Sequence, residues 1–115
     1  MQKRGQQNMN LAQARKIALA LPEATEAPHF DMTSFRVAGK IFATAPSSGT
    51  HLHIFVDEDL RAPHIAADPG TYAPLPWGAK VVGVKIKLAS AAPATVKELL
   101  HQSWRRKAPA RLNRP

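Results

Sequence analysis

The stretch TSFRVAGKIFA at residues 33–43 determines the fold prediction, because it holds two short runs of β-branched and aromatic side chains around a central glycine. Such runs are typical of β-strands, and a glycine between them is typical of a tight turn. We predict strands at Thr33–Ala38 and Lys40–Ala45, joined at Ala38-Gly39. This hairpin would begin an antiparallel sheet.

Each predicted strand should bury one face and expose the other, since side chains alternate along a strand. In the first strand, Ser34 and Arg36 share the face opposite Phe35 and Val37. The clearest strand of the chain is Val81–Leu88, where two lysines, Lys85 and Lys87, alternate with four apolar residues, Val82, Val84, Ile86 and Leu88. One face of that strand is therefore predicted to be core, and the other basic.

Three helices are predicted around these strands. Asn10 followed by Gln13 has the form of a capping box, with apolar residues at helical spacing after it. In the middle helix Pro63 is tolerable only in the first turn, and Pro93 suits the first turn of the last helix. The predicted helices span residues 10–21, a short segment within 58–68, and residues 93–107.

The order of elements indicates the fold class. A further strand is predicted at His51–Val56, whereas residues 22–29 are predicted to form a loop, and residues 71–80, with Pro74 and Pro76, an irregular stretch. The resulting order is α-β3-α-β(1-2)-α. We therefore predict an α+β protein with two layers, an antiparallel sheet with helices on one face.

The chain has 115 residues, enough for one domain, which we place at residues 10–108. Residues 1–9 are predicted to form a mobile N-terminal tail, and residues 109–115 a basic C-terminal tail. The absence of cysteine excludes a disulfide scaffold, a thiolate zinc site, an iron–sulfur cluster and a cysteine nucleophile. No apolar stretch is long enough to cross a membrane, so we expect no membrane association and a cytoplasmic location.

Charge is the most informative part of the composition. The formal net charge is +8, from 16 Lys+Arg and 8 Asp+Glu. Residues 1–16 carry four basic and no acidic side chains, residues 17–79 three basic and seven acidic, and residues 80–115 nine basic and one acidic. A basic excess at both ends of the chain is typical of a protein that binds a polyanion, with DNA as the expected partner.

The candidate DNA-binding residues come from three parts of the predicted fold: the first hairpin, the basic strand face and the end of the last helix. They are Arg36, Lys40, Lys85, Lys87, Arg105, Arg106, Lys107 and Arg111. No helix-turn-helix, zinc-finger or ribonucleoprotein motif accompanies them, so contacts should be made mainly to phosphates, without sequence preference. We expect a non-enzymatic protein with no cofactor.

Other residues leave alternatives open. His51 and His53 share a strand face and could supply two metal ligands, but solvated histidines explain them better, and no metal is expected. Arg36 and Lys40, on either side of Gly39, could hold a small anion. Apolar grooves could form between the aromatic residues Phe30, Phe35, Phe42, Trp77 and Trp104. The alternative function is therefore a protein-interaction or small-ligand-binding module.

Several separated motifs occur in an order that resembles the MmcQ/YjbR-like family. They are Ala20-Leu-Pro-Glu-Ala24, Glu26 with Pro28-His-Phe30, the stretch at residues 33–43, Asp57-Glu-Asp59, Asp68-Pro-Gly70, Trp77-Gly78 and Ala108-Pro109. The resemblance covers about residues 10 to 112. It implies an α-β3-α-β2-α fold similar to type III secretion chaperones, and a DNA-binding role in which strand hairpins form a double wing. The sequence departs from the family around Pro63 and Asp68, and in its basic tails.

Overall fold

A computed structural model describes residues 9–113 of the chain. Six strands form one antiparallel sheet in the order β1-β2-β3-β4-β6-β5. The main elements are α1 (Leu11–Leu19), β1 (Thr25–His29), β2 (Met32–Val37), β3 (Lys40–Ala45), β4 (His51–Ile54), α2 (Glu58–Ala67), β5 (Tyr72–Trp77), β6 (Lys80–Lys87) and α3 (Pro93–Lys107). Short 3₁₀ turns follow β6 at Leu88–Ser90 and α3 at Ala110–Leu112. The predicted α+β class is confirmed.

The core lies between the helices and one face of the sheet. The sheet contributes fully buried apolar side chains at Phe35, Val37, Phe42, Leu52, Ile54, Val84 and Ile86, and α3 contributes Val96, Leu99, Leu100 and Trp104. Ser103 of α3 is also buried, and its Oγ donates a 2.6 Å hydrogen bond to the carbonyl oxygen of Phe42. This bond satisfies a polar group that would otherwise be stranded in the core.

The predicted hairpin between β2 and β3 is confirmed. Ala38 and Gly39 both have positive φ, at 51° and 79°, as a two-residue turn of type I′ requires. The pairing register shifts after Phe35, which faces Ala43, so that Arg36 faces Ile41. One extra residue, Phe42, therefore enters β3, and Phe42 and Ala43 are both fully buried.

The predicted loop at residues 22–29 is wrong in part, because Thr25–His29 forms β1 and pairs with β2. Four strands, not three, therefore separate the first two helices. β1 was missed because it lies at the edge of the sheet, where no residue is fully buried and no apolar alternation marks the sequence. An edge position also accepts Pro28, since the outward side of an edge strand needs no N–H donor.

The irregular stretch predicted at residues 71–80 is wrong for the same reason. Tyr72–Trp77 forms β5, the opposite edge strand, and pairs with β6 alone. Pro74 and Pro76 are compatible with a strand that has only one neighbour. β6 joins β5 on one side and β4 on the other, so the most apolar strand is an inner strand, as its sequence predicts.

The helix predictions hold closely. The capping box is present, with Asn10 Oδ1 accepting from the Gln13 N–H at 2.9 Å, and α3 spans the predicted residues. The expectation for Pro63 is wrong, because α2 begins at Glu58 and Pro63 is its sixth residue. The proline removes an internal hydrogen bond, but no residue of α2 is buried, so the freed carbonyl group can reach water.

Parts of both predicted tails pack against the domain. Met9 is buried, and its N–H donates to the carbonyl oxygen of Leu88 at 3.1 Å. Leu112, in the 3₁₀ turn after α3, packs against the core. Residues 1–8 and 114–115, the rest of the predicted tails, lie outside the described residues. Within residues 9–113, no helix has the length and apolar character needed to cross a membrane.

Candidate nucleic-acid interface

The sheet face opposite the helices, here called the open face, carries a group of four basic side chains at its centre. β4 pairs with β6 so that His51 lies opposite Lys87, and His53 lies opposite Lys85. Directly paired residues of antiparallel strands point to the same side, with Cβ atoms about 5 Å apart. We call these four residues the His–Lys square. The sequence predicted a shared face within each pair, but not that the two pairs are neighbours.

The square continues into a row of small polar side chains. Ser34 lies opposite Thr44, and Thr44 opposite His53, so the row runs from β2 to β4. Ser34 and Thr44 are buried although they belong to the open face.

Arg36 lies on the same face and is held by hydrogen bonds. Its Nε donates to Ser34 Oγ at 2.9 Å, and its Nη2 donates to the Pro28 carbonyl oxygen at 3.4 Å. Ser34 Oγ in turn donates to the Ala27 carbonyl oxygen at 2.8 Å. These bonds orient the guanidinium group of Arg36 along β1 and β2, in the direction away from the His–Lys square.

Lys85 and Lys87 supply positive charge to the square, whereas the surroundings of His53 disfavour its charged form. Burial lowers the pKa of His53, and the nearby positive charges of Lys85 and His51 lower it further. His53 is therefore mainly neutral near pH 7. Among the residues that the structure describes, no carboxylate forms an ion pair with Lys85 or Lys87. Both ammonium groups are available to an anionic ligand.

His51 is oriented by its neighbour in the chain. Its ring Nδ1 lies 2.8 Å from Thr50 Oγ1, within hydrogen-bond distance. Over residues 9–113, no cluster of three or more His, Cys, Asp or Glu side chains is arranged to hold a metal ion. His51 and His53 therefore lie partly exposed on the open face without a third candidate metal ligand among the described residues.

The other predicted cations lie elsewhere. Lys40 is exposed beside the β2–β3 turn. Arg105, Arg106 and Lys107 end α3, on the helical side of the sheet. Arg106 Nη1 lies 3.4 Å from Asp57 Oδ1 and donates to the Phe55 carbonyl oxygen at 3.3 Å. Arg106 is thus partly neutralised by a carboxylate.

Arg111, in the predicted C-terminal tail, is also paired with a carboxylate. Its two terminal nitrogens donate to the two carboxylate oxygens of Glu23, each at 2.8 Å. These hydrogen bonds lower the pKa of Glu23 and raise that of Arg111. The eight predicted residues therefore do not form one surface. Arg36, Lys85 and Lys87 share the open face, whereas the cations at the end of the chain lie apart and two of them are paired.

The aromatic residues considered for an apolar groove are also divided. Phe35, Phe42 and Trp104 are core residues. Phe30 and Trp77 are 90% and 77% exposed and lie at the tips of the β1–β2 and β5–β6 hairpins, at opposite ends and edges of the sheet. A groove of about 530 Å³ does lie between α2 and the β5–β6 hairpin, lined by apolar residues that include Ala62, Ile65, Pro74 and Val81.

Comparisons with known proteins agree with this fold. The YjbR family model matches residues 19–106, more than half of the chain. The crystal structure of Deinococcus radiodurans protein DR2400, with its DUF419 domain, is similar with a TM-score of 0.70 and 19% sequence identity, over 88% of this chain and 86% of that one. At this identity the likeness concerns the fold alone. No curated protein matches the chain. The family match and the shared fold confirm the resemblance found in the sequence, and the chain belongs to the YjbR family.

Proposed function

We propose that the protein is a non-enzymatic DNA-binding protein that contacts phosphates, mainly without sequence preference, through the open face of its sheet. The observation that carries the proposal is the β4–β6 register, which places Lys85 and Lys87 side by side with His53 and His51. Residues two apart on a strand are about 7 Å apart, so the two ammonium groups can contact different phosphates. We further propose that this activity is cytoplasmic and needs no cofactor.

The lack of sequence preference follows from the placement of the helices. All three pack on the opposite face of the sheet, where they contribute to the core. An α-helix or a two-stranded ribbon can enter the major groove of duplex DNA, which is about 12 Å wide. A six-stranded sheet is about 24 Å wide and cannot. The open face is thus suited to the phosphate backbone, which carries no direct sequence information.

The C-terminal cations have a smaller part in the proposal. Arg106 and Arg111 already contact Asp57 and Glu23, and binding a phosphate would require those contacts to be exchanged. Arg105 and Lys107 have no carboxylate partner in the described part of the chain. These two residues provide a matched control, because replacing them changes the net charge as much as replacing Lys85 and Lys87.

The test is fluorescence anisotropy of labelled mixed-sequence DNA, as duplex and as single strand, at salt concentrations from about 50 to 200 mM. We expect binding by the wild type, a clear loss in Lys85→Ala/Lys87→Ala, and a smaller loss in Arg105→Ala/Lys107→Ala. Equal losses in the two variants would show that net charge alone matters. No binding of either DNA at the lowest salt would overturn the proposal.

A second candidate function has one observation in its favour. The groove between α2 and the β5–β6 hairpin is bordered by Val81, which is 42% exposed, and Trp77 lies at the tip of the same hairpin. Exposed apolar side chains of this size beside a groove are typical of sites for a protein or small ligand. If DNA does not bind, Trp77→Ser and Val81→Ser are the variants to compare in a screen for such partners.

A further inference from the structure

The open face offers more than charge, because it places flat side chains beside its cations. His51 and His53 project from β4, an inner strand, and Lys85 and Lys87 project from its neighbour β6. Both histidines are partly exposed. Unpaired bases stack on aromatic side chains, including histidine, and on the planar guanidinium group of arginine. A stacking surface next to phosphate-binding cations is the usual combination in proteins that bind single-stranded nucleic acid.

Spacing along the strands suits this combination. His51 and His53 are separated by about 7 Å, roughly twice the rise of about 3.4 Å between stacked bases in a duplex strand. Each ring can therefore contact a different base of an extended strand. Lys87 and Lys85 stand opposite the same two positions, about 5 Å away, so each ring has one cation beside it.

Duplex DNA cannot use these rings. Its bases face inward and are stacked on each other, and their edges are reached only through the grooves, which a sheet about 24 Å wide cannot enter. A single strand can lie along the sheet with its bases against β4 and its phosphates against β6. Arg36, fixed by Ser34 and Pro28 on the β2 side of the face, is a further planar group for stacking.

We infer that the open face binds single-stranded DNA in preference to duplex DNA, with His51 and His53 stacked on unpaired bases and Lys85 and Lys87 on phosphates. This inference rests on the proposed DNA-binding function and names the form of DNA that is bound. It predicts that affinity depends on the bases as well as on the charge of the ligand. Removing one stacking ring should weaken binding about fivefold, and removing both should weaken it about 25-fold.

The test compares three labelled ligands of equal length with the full chain: a mixed-sequence single strand without self-complementarity, its duplex, and a single strand of abasic sites. The single strand should bind at least about tenfold more tightly than either of the others. Binding of the duplex or the abasic strand with equal affinity would overturn the inference, although the proposed DNA binding would stand. Failure of all three ligands to bind at low salt would overturn both.

Variants then assign the effect to the rings. His51→Ala/His53→Ala should lose affinity for the single strand, whereas His51→Phe/His53→Phe should retain it, because phenylalanine keeps a stacking surface and favours a strand. His64→Ala/His101→Ala removes two histidines from α2 and α3 and serves as the matched control. Equal affinities in the alanine variant and the control, with native circular dichroism spectra in both, would contradict a stacking role. Loss of binding by the phenylalanine variant would contradict it as well.

Discussion

Gly83 in β6 packs directly against the backbone of Ile54 in β4, so that a Cβ atom at position 83 would overlap the carbonyl oxygen of Ile54 and approach its carbonyl carbon to 2.9 Å. The close approach occurs beside the pairing of Ile54 with Val84, where β4 ends. This contact joins the two strands that carry the His–Lys square. The position of the His–Lys square therefore depends on Gly83, a residue that has no side chain to bind a ligand.

Gly83→Ala should destabilise the protein by about 3 kcal/mol or more, because backbone atoms must move to admit the new methyl group. Chemical denaturation followed by circular dichroism measures the change. Gly70→Ala is a matched control, since a Cβ atom there would meet only the Asp68 side chain at an ordinary 3.7 Å. Equal stability of the two variants would show that β4 and β6 can separate at this point without penalty.

A substitution in the β2–β3 turn is expected to stabilise the protein. Ala38 has φ of 51°, a left-handed conformation that is unfavourable for a residue with a Cβ atom. Ala38→Gly should therefore stabilise the hairpin by roughly 0.5 to 1 kcal/mol, partly offset by the greater freedom of glycine in the unfolded chain. Gly39→Ala should destabilise it, as φ there is 79°. Thermal unfolding of both variants distinguishes them, and a gain of stability in Gly39→Ala would contradict the turn type.

Titration of His53 provides a direct measurement on the candidate site. Burial is the largest cause of its lowered pKa, followed by Lys85 and then His51. Lys85→Ala should raise the pKa of His53 only part of the way to its usual value of about 6.5, since burial persists. A nuclear magnetic resonance titration of the imidazole proton measures this shift. A pKa unaffected by Lys85→Ala would mean that the two side chains do not approach each other in solution.

The same lowered pKa makes stability depend on pH. The unfolded chain binds a proton at His53 more readily than the folded chain does, so the free energy of unfolding should fall as pH decreases below about 6.5. His53→Gln should weaken this dependence. Urea denaturation at neutral pH and about one and a half units lower measures the difference. If the free energy of unfolding changed with pH by the same amount in the wild type and in His53→Gln, a contribution of His53 to the pH dependence would be excluded.

The ion pair between Arg111 and Glu23 predicts a structural role for the C-terminal residues. Arg111→Ala should reduce DNA affinity less than Lys87→Ala does, although both remove one positive charge. It should instead increase proteolytic cleavage near Pro22 and Glu23, where the chain is also held by the Trp104 Nε1–H hydrogen bond to the Pro22 carbonyl oxygen at 3.0 Å. A larger loss of DNA affinity in Arg111→Ala would place the interface at the C-terminus.

The parts of the fold with strong periodicity could be predicted from sequence. Alternation identified β4 and β6, the glycine turn identified the β2–β3 hairpin, and the capping box identified α1. The two edge strands were not predictable in the same way, because Pro28, Pro74 and Pro76 argue against strands unless the edge position is known. Pro74 and Pro76 both lie in β5, which is the strand farthest from the β2–β3 hairpin in the sheet.

The candidate site was only half predictable, since its residues come from strands that are distant in sequence. Alternation placed Lys85 with Lys87 and His51 with His53. However, α2 and β5 lie between β4 and β6 in the chain, and no local pattern shows that β6 pairs directly with β4. The ion pairs of Arg106 and Arg111 arise from contacts across 49 and 88 positions of the chain, which no local pattern contains. A count of basic residues therefore does not reveal that Arg106 and Arg111 have carboxylate partners.

The prolines of the two edge strands have a consequence for the behaviour of the protein at high concentration. A polyanion brings many copies of a basic protein close together along its length. When copies are close, an unpaired edge strand of one sheet can pair with an edge strand of the next, and the protein aggregates. Pro28 at one edge, with Pro74 and Pro76 at the other, interrupts the row of N–H donors that such growth requires. Both edges of the sheet thus resist the addition of strands from neighbouring copies, even where the proposed DNA ligand would bring copies together.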